Sequence, residues 1–190
     1  MRRAVSLAFV ALVGSTLAAC AAIEPVSRPR LVVPAEEAFG IDGRLSARHG
    51  TQAIAVHFAW THAASRDEFV VATPLGQTIA ELDGDVSVPR VVVRMADGRR
   101  EEARDWSELT TRTLGFALPV AWLSTWARGA PHADAPHTIE VDPFGRASVL
   151  WQNGWEVVYG YADESSRFPA RLRLAGPDVD VAIVVDRWHR

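Results

Sequence analysis

The chain carries one cysteine, Cys20, in 190 residues, so it has no disulfide partner within the chain. The residues before it are Leu17-Ala18-Ala19. Two small residues directly ahead of a cysteine form the pattern of a lipobox. The chemistry such a site supports is a cut before the cysteine, a diacylglycerol on its sulfur and an acyl group on its new amino terminus. Each buried CH2 of such chains contributes about 0.8 kcal/mol, so two or more long chains hold a protein on a membrane almost permanently. The leader fits this reading. Arg2 and Arg3 form a positive start, Ala4 to Val13 is a largely apolar stretch, and Gly14-Ser15-Thr16 break it. The stretch is too short to span a bilayer and has the layout of an export signal. Ala21 follows the cysteine; an Asp there would resemble the signal for retention in the inner membrane, so its absence favours the outer membrane.

No other constellation for catalysis or metal binding stands out. The chain has no G-x-S-x-G elbow and no phosphate-binding Walker loop. His49, His57, His62, His132, His137 and His189 form no H-x-x-x-H pair and no ligand set with a cysteine. Their plain reading is surface or hydrogen-bonded histidine. We therefore expect no enzyme activity, no cofactor and no metal. Formal net charge is −3, and removal of Arg2 and Arg3 with the leader would leave 18 basic residues against 23 acidic. A mildly acidic body argues against a nucleic-acid footprint, which needs a basic face. All the basic residues are arginine. Arg44, Arg48 and Arg146 are candidates to meet the polar face of a partner, although surface arginine is common.

The elements that must carry any function lie downstream. Residues 1–19 read as the signal peptide. Residues 20–38, with Pro25, Pro29 and Pro34, read as a lipidated start and tether. Residues 39–190 read as one domain of ordinary size. Within it, Ile54, Val56, Phe58 and Trp60 alternate on one face of a strand over Thr51–Thr61. Further strands are expected at 69–71, 78–82, 91–93, 139–141, 149–152, 155–161, 172–174 and 179–188. Asp97-Gly98 and Asp142-Pro143-Phe144-Gly145 mark turns, and Asn153-Gly154 marks a tight hairpin, because both residues accept positive φ. Short, evenly spaced strands point to an antiparallel barrel or a strongly curved sheet.

Asp105 to Gly129 breaks the pattern and reads as two helices. Asp105 and Glu108 resemble a capping box, Gly115 supplies a left-handed stop, Pro119 suits the next first turn, and Gly129 ends it before Pro131. The second helix places Trp122 and Trp126 four apart, with Leu118 and Leu123 nearby. A short apolar helical pair inserted into a β meander packs most economically over the open face of the sheet, as a lid. Alternation and the lid together give Phe58, Trp60, Trp122, Trp126, Trp155, Val157 and Tyr159 as the expected lining of a hydrophobic cavity.

Taken in order, these motifs resemble the LolB family. Phe39 with Gly43-Arg44-Leu45-Ser46 and Arg48 looks like its first strand, and Phe58 with Trp60 like its F-x-W. Pro74-Leu75-Gly76-Gln77-Thr78 resembles its P-L-G loop. Leu114-Gly115, Leu118-Pro119, Leu123, Trp126, Gly129 and Pro131 resemble its helical segment. Asp142, Gly145-Arg146, Gln152, Gly154-Trp155, Val157 and Tyr159 resemble its long strand pair, and Pro169, Arg171 and Trp188 its end. Phe168 stands where a leucine would be expected. The resemblance implies a mainly β fold, an unclosed antiparallel β-barrel with a short α-helical lid over a hydrophobic cavity. It implies a monomeric receptor, anchored by its lipid to the periplasmic face of the outer membrane. Such a receptor takes lipoproteins from the soluble carrier LolA by their acyl chains and inserts them into the inner leaflet, without a nucleotide. It also implies that Leu75 is an exposed apolar tip that probes the membrane; a half-buried loop leucine is the plain alternative. A binding module of the same architecture for another amphiphile, or a small lipid-acting enzyme, are the competing classes.

Overall fold

A computed structural model describes Leu31 and residues 38–189. Cys20, the leader and nearly all of the expected tether lie outside the described residues. Eleven strands and two helices follow in chain order. They are β1 (Phe39–His49), β2 (Gln52–Ala63), β3 (Arg66–Ala72), β4 (Thr78–Asp85), β5 (Arg90–Met95) and β6 (Arg100–Ala103), then α1 (Trp106–Leu114) and α2 (Val120–Trp126). After the helices come β7 (His137–Val141), β8 (Ala147–Gln152), β9 (Trp155–Gly160), β10 (Arg171–Gly176) and β11 (Val179–His189). The strands form one antiparallel sheet in the order β6-β5-β4-β3-β2-β1-β11-β10-β9-β8-β7. The first and last strands therefore pair at its middle. Among the described residues β6 and β7 stay as free edges, so the curved sheet is an unclosed barrel, as the sequence led us to expect.

Local chemistry explains the bends. At Asp42/Gly43 the β1–β11 register shifts. A Cβ on Gly43 would sit 2.5 Å from the Val184 carbonyl oxygen, so the bulge that curves the sheet here requires glycine. Asn153 and Gly154 both take positive φ, 51° and 76°, and turn β8 into β9 as their sequence predicts. β6 is the one strand absent from the sequence reading. Its residues are Arg-Glu-Glu-Ala, with only Ala103 buried, and it owes its conformation to pairing with β5.

The helical insertion falls where expected. Asp105 caps α1 by accepting from the Glu108 backbone N–H at 2.8 Å, and Gly115 ends it at φ 84°. The reciprocal half of the capping box is displaced by one residue: Glu108 accepts from the backbone N–H of Arg104. Pro119 precedes α2. Trp106 and Leu109 of α1, with Val120, Leu123 and Trp126 of α2, bury themselves against the concave face of the sheet, among Ile41, Trp60, Val91, Leu150 and Leu172.

Arg146 locks the β7–β8 turn to the loop after β9. Its Nε donates to Asp142 Oδ2 at 2.8 Å, and its Nη1 donates to the carbonyls of Asp163, Glu164 and Ser166. Its guanidinium lies 4.0 Å from the Tyr161 ring centre and 5.0 Å from that of Phe144. These donors are spent within the fold, so Arg146 is a staple and not a hand offered to a partner. Asp142 also accepts from the backbone N–H groups of Phe144 and Arg146. Partial burial raises its carboxyl pKa, but the hydrogen bonds from Arg146 and Phe144 outweigh this and hold it below the ordinary aspartate range. A depressed folded-state pKa stabilises above the unfolded value and is lost as pH falls through the folded one. Asp142→Asn should therefore cost about 1–3 kcal/mol in urea unfolding at pH 7. The difference from the parent should shrink below about pH 4; a pH-independent difference would contradict this account.

Candidate functional site

The concave face is built by alternation. Ile41 and Leu45 of β1, Val56, Phe58 and Trp60 of β2, Phe69 and Val71 of β3, Leu172 of β10, and Ile183 and Val185 of β11 all point inward. Leu123 and Ala127, from α2 and its C-terminal cap, roof them. Between roof and sheet lies a cavity of about 90 Å³ lined only by apolar side chains. At ~24 cal/mol per Å³, a void of this size costs on the order of 2 kcal/mol. With no polar lining it cannot hold an ordered water well. The fold thus keeps a dry gap that tighter packing would have removed.

The seven residues expected to line one cavity divide into three groups. Phe58 and Trp60 face the inner cavity. Trp122 and Trp155 face a separate, open groove of about 700 Å³ between the β4–β5 turn and the helices. Trp126, Val157 and Tyr159 are buried in the core and line neither space. Burial pushes the Tyr159 hydroxyl pKa up, so it stays neutral. The inner-cavity residues that sequence reading passed over, Phe69 and Val71 among them, carry the same period-two signal as Phe58 and Trp60. Only strand pairing shows that they share one space.

Two buried polar groups hold the aromatic walls in place. The Trp60 indole N–H donates to Asp67 Oδ1 at 2.7 Å, and His62 Nδ1 lies 2.8 Å from the same oxygen. Both His62 and Asp67 are buried, and Phe39 stacks on the imidazole at 5.0 Å. This fixes Trp60 upright, stacked on Phe69 at 5.1 Å. Gln152 of β8 does the same for the lid. Its Oε1 accepts from the Trp126 indole N–H and the His132 backbone N–H, and its Nε2 donates to the carbonyls of His132 and Ala135. All four of its hydrogen bonds are made in a site closed to water. Trp122 then stacks on His132 at 5.2 Å. Among the described residues, no group of three potential ligands could hold a metal ion.

Leu75 stands apart from this interior. The loop joining β3 to β4 closes through Thr73 N–H to the Gln77 carbonyl and Gly76 N–H to the Thr73 carbonyl. Gly76 takes φ 86°. The turn throws Leu75 outward, and its side chain is 97 % exposed, against 57 % or less for every other exposed large hydrophobic residue described.

The Gln152 junction generates a test. Gln152→Leu keeps the volume but orphans the Trp126 indole, the His132 amide and two carbonyls. Loss of about 2–4 kcal/mol of unfolding free energy is expected, with a blue-to-red shift in tryptophan emission as Trp126 loosens. Unchanged stability and emission would remove Gln152 as the anchor.

Comparison with known proteins follows the same outline. A family model described as outer membrane lipoprotein LolB matches residues 37–188. A protein of Azoarcus named outer-membrane lipoprotein LolB is 31% identical over 184 residues, covering 96% of this chain and 94% of that one. Proteins of the same name from Chromobacterium violaceum and Nitrosomonas europaea are 34% identical over 163 residues and 32% over 171. The first comparison covers 85% of this chain and 86% of its counterpart, the second 88% and 79%. A DUF1329 family protein from Desulfovibrio piger is similar in structure at a TM-score of 0.49 and 8% identity, over 83% of this chain and 87% of that one. With a family model that matches residues 37–188 and relatives above 30% identity over most of its length, the chain belongs to the LolB family of outer membrane lipoproteins.

Proposed function

We propose that this protein is a lipid-anchored receptor on the periplasmic face of the outer membrane. It accepts lipoproteins from a LolA-type carrier by their acyl chains and places them in the inner leaflet. The observation that carries this reading is the dry, wholly apolar cavity roofed by α2 in a domain that matches the LolB family throughout. A signal peptide over residues 1–19, lipidation of Cys20 and a tether over 20–38 would hold the domain close to the membrane it serves. We read the receptor as acting as a single copy.

The energetics favour shielding over chemistry. An acyl chain of a dozen or more CH2 groups exposes apolar surface worth on the order of 10 kcal/mol. Transfer from a carrier whose own hollow shields the chains needs no nucleotide, only a stronger acyl affinity in this receptor than in the carrier. As it stands, the inner cavity is smaller than the few hundred Å³ typical of a ligand site. A chain enters only as the roof lifts, and Leu123 and Ala127 are the roof residues that must move. Filling the cavity from the roof should therefore block uptake. Ala127→Leu is expected to raise the melting temperature by a few degrees by filling a void and to weaken a fluorescent fatty acid by about tenfold. Equal affinity in parent and variant would place the acyl site elsewhere.

Leu75 would act at the other end of the pathway. A fully exposed leucine gains about 1.5–3 kcal/mol on entering hydrocarbon. Leu75→Glu should leave cargo acceptance intact and block release into liposomes, followed by flotation of a labelled lipoprotein. Normal insertion by this variant would remove the tip from the mechanism.

A further inference from the structure

Leu75 is not the only exposed apolar side chain of the β3–β4 hairpin. Ile79, which follows its loop by two residues, is 38 % exposed. Ala80 and Leu82 of β4 pack against the core, so alternation puts Ile79 on the convex face. A register shift then leaves Ile79 without a partner on β3, because Ala72 pairs with Thr78 and Val71 with Ala80. Thr78 and Ile79 are exposed in succession, which regular alternation would not give. Bulges of this kind re-aim side chains.

Strand pairing places this patch at one end of the sheet. Phe39, at the start of β1, pairs with His62, whereas Ala72, just before the Leu75 loop, pairs with His57. β1 therefore starts at the end opposite Leu75. Val86 and Val88 stand at that far end as well, since Asp85 pairs with Arg66 at the start of β3. The other strand turns at the Leu75 end are residues 50–51, 96–99, 153–154 and 177–178. None of them carries a large hydrophobic residue. The nearest donates the Ala96 N–H to the Ile79 carbonyl at 3.1 Å and bears the exposed Asp97–Arg99 ion pair. Two residues further up β4, Glu81 stands opposite Arg94 of β5. An apolar tip is thus bordered by charge.

We propose that Leu75 and Ile79 together form one membrane-docking edge, and that the domain meets the bilayer end-on, with the start of β1 and the β4–β5 turn held away from it. This rests on the reading of Leu75 above. The chain belongs to a family of outer membrane lipoproteins, so a bilayer is the apolar phase at hand. A protein partner would have to supply a cleft shaped to a projecting tip. Hydrocarbon needs no such fit, because apolar burial is non-directional. Leu75 and Ile79 enter the hydrocarbon, while Asp97, Arg99, Glu81 and Arg94 stay among the headgroups, where their charges keep their solvation. The charged border limits the depth, so the tip dips into the leaflet without embedding the sheet.

The test uses the full chain in liposomes of phosphatidylethanolamine and phosphatidylglycerol. Leu75→Cys, Ile79→Cys and Val86→Cys each carry a fluorescent dye, and the parent treated in the same way is the blank for Cys20. Val86 is 57 % exposed and controls for apolar exposure alone. Lipids spin-labelled on the acyl chain quench a dye that reaches hydrocarbon. Quenching at positions 75 and 79 should exceed that at 86 about threefold. Ile79→Asp should lower insertion of a labelled lipoprotein about fivefold and leave fatty-acid binding unchanged, because Ile79 does not line the inner cavity. Quenching at 79 no stronger than at 86, or parent-like insertion by Ile79→Asp, overturns the shared edge; strong quenching at 75 would then leave the Leu75 tip standing alone. Equal, strong quenching at all three positions overturns the end-on pose. Shielding of position 79 that appears only when a purified carrier protein is added assigns the patch to a protein and overturns the proposal. If position 75 is not quenched either, the Leu75 reading itself is what has failed.

Discussion

A half-barrel must hide a concave apolar face that no second sheet covers. Everything else in this molecule follows from that constraint. Eleven strands alternate apolar residues inward, and pairing β1 with β11 bends them round one hollow. Closing the edges would have left a filled barrel or a permanently open one. Leaving β6 and β7 unpaired gives the hollow a side that two short helices can roof. Because α1 and α2 are short, burial of Trp106, Leu109, Leu123 and Trp126, and not their intrinsic propensity, keeps them helical.

The roof and the wall are held by different means. Apolar packing is non-directional and would tolerate several positions of the lid. Gln152 removes that freedom at one end, because its four hydrogen bonds fit only one placement of Trp126 and the His132 loop. Asp67 does the same for Trp60 in the opposite wall. Leu123 and Ala127, on the roof to either side of the anchored Trp126, face the void through apolar side chains only. Rigidity is thus concentrated at the margins of the hollow, and the part that must yield to hydrocarbon is left with dispersion contacts alone.

The exterior divides in a similar way. Several charged side chains pair across neighbouring strands, as Arg44 does with Asp186 and Arg90 with Glu102. Such exposed pairs contribute little stability but keep the outer face wetted. Leu75 is the most exposed of the large hydrophobic residues described, and backbone hydrogen bonds of its own loop, not tertiary packing, hold it outward. A tip built locally keeps its shape whatever the lid is doing, which separates reception in the hollow from contact with a bilayer.

Much of this was legible in the residues themselves. Strand alternation at Ile54–Trp60, the Asn153-Gly154 hairpin, the Asp105 cap and the Gly115 stop are local effects, set by side-chain period and by which residues accept positive φ. The order of the motifs was sufficient for the family resemblance. Tertiary structure alone decided how those faces share space. Phe58 and Trp60 reach the inner cavity, while Trp122 and Trp155 border a different groove and Trp126, Val157 and Tyr159 fill the core between them. β6 formed against its own composition because β5 offered an edge. His62, which reads as an ordinary histidine, became a buried partner of Asp67. The physical reason is range: a period of two or 3.6 residues says which way a side chain points, but what it meets depends on sheet curvature and on strands far away in the chain.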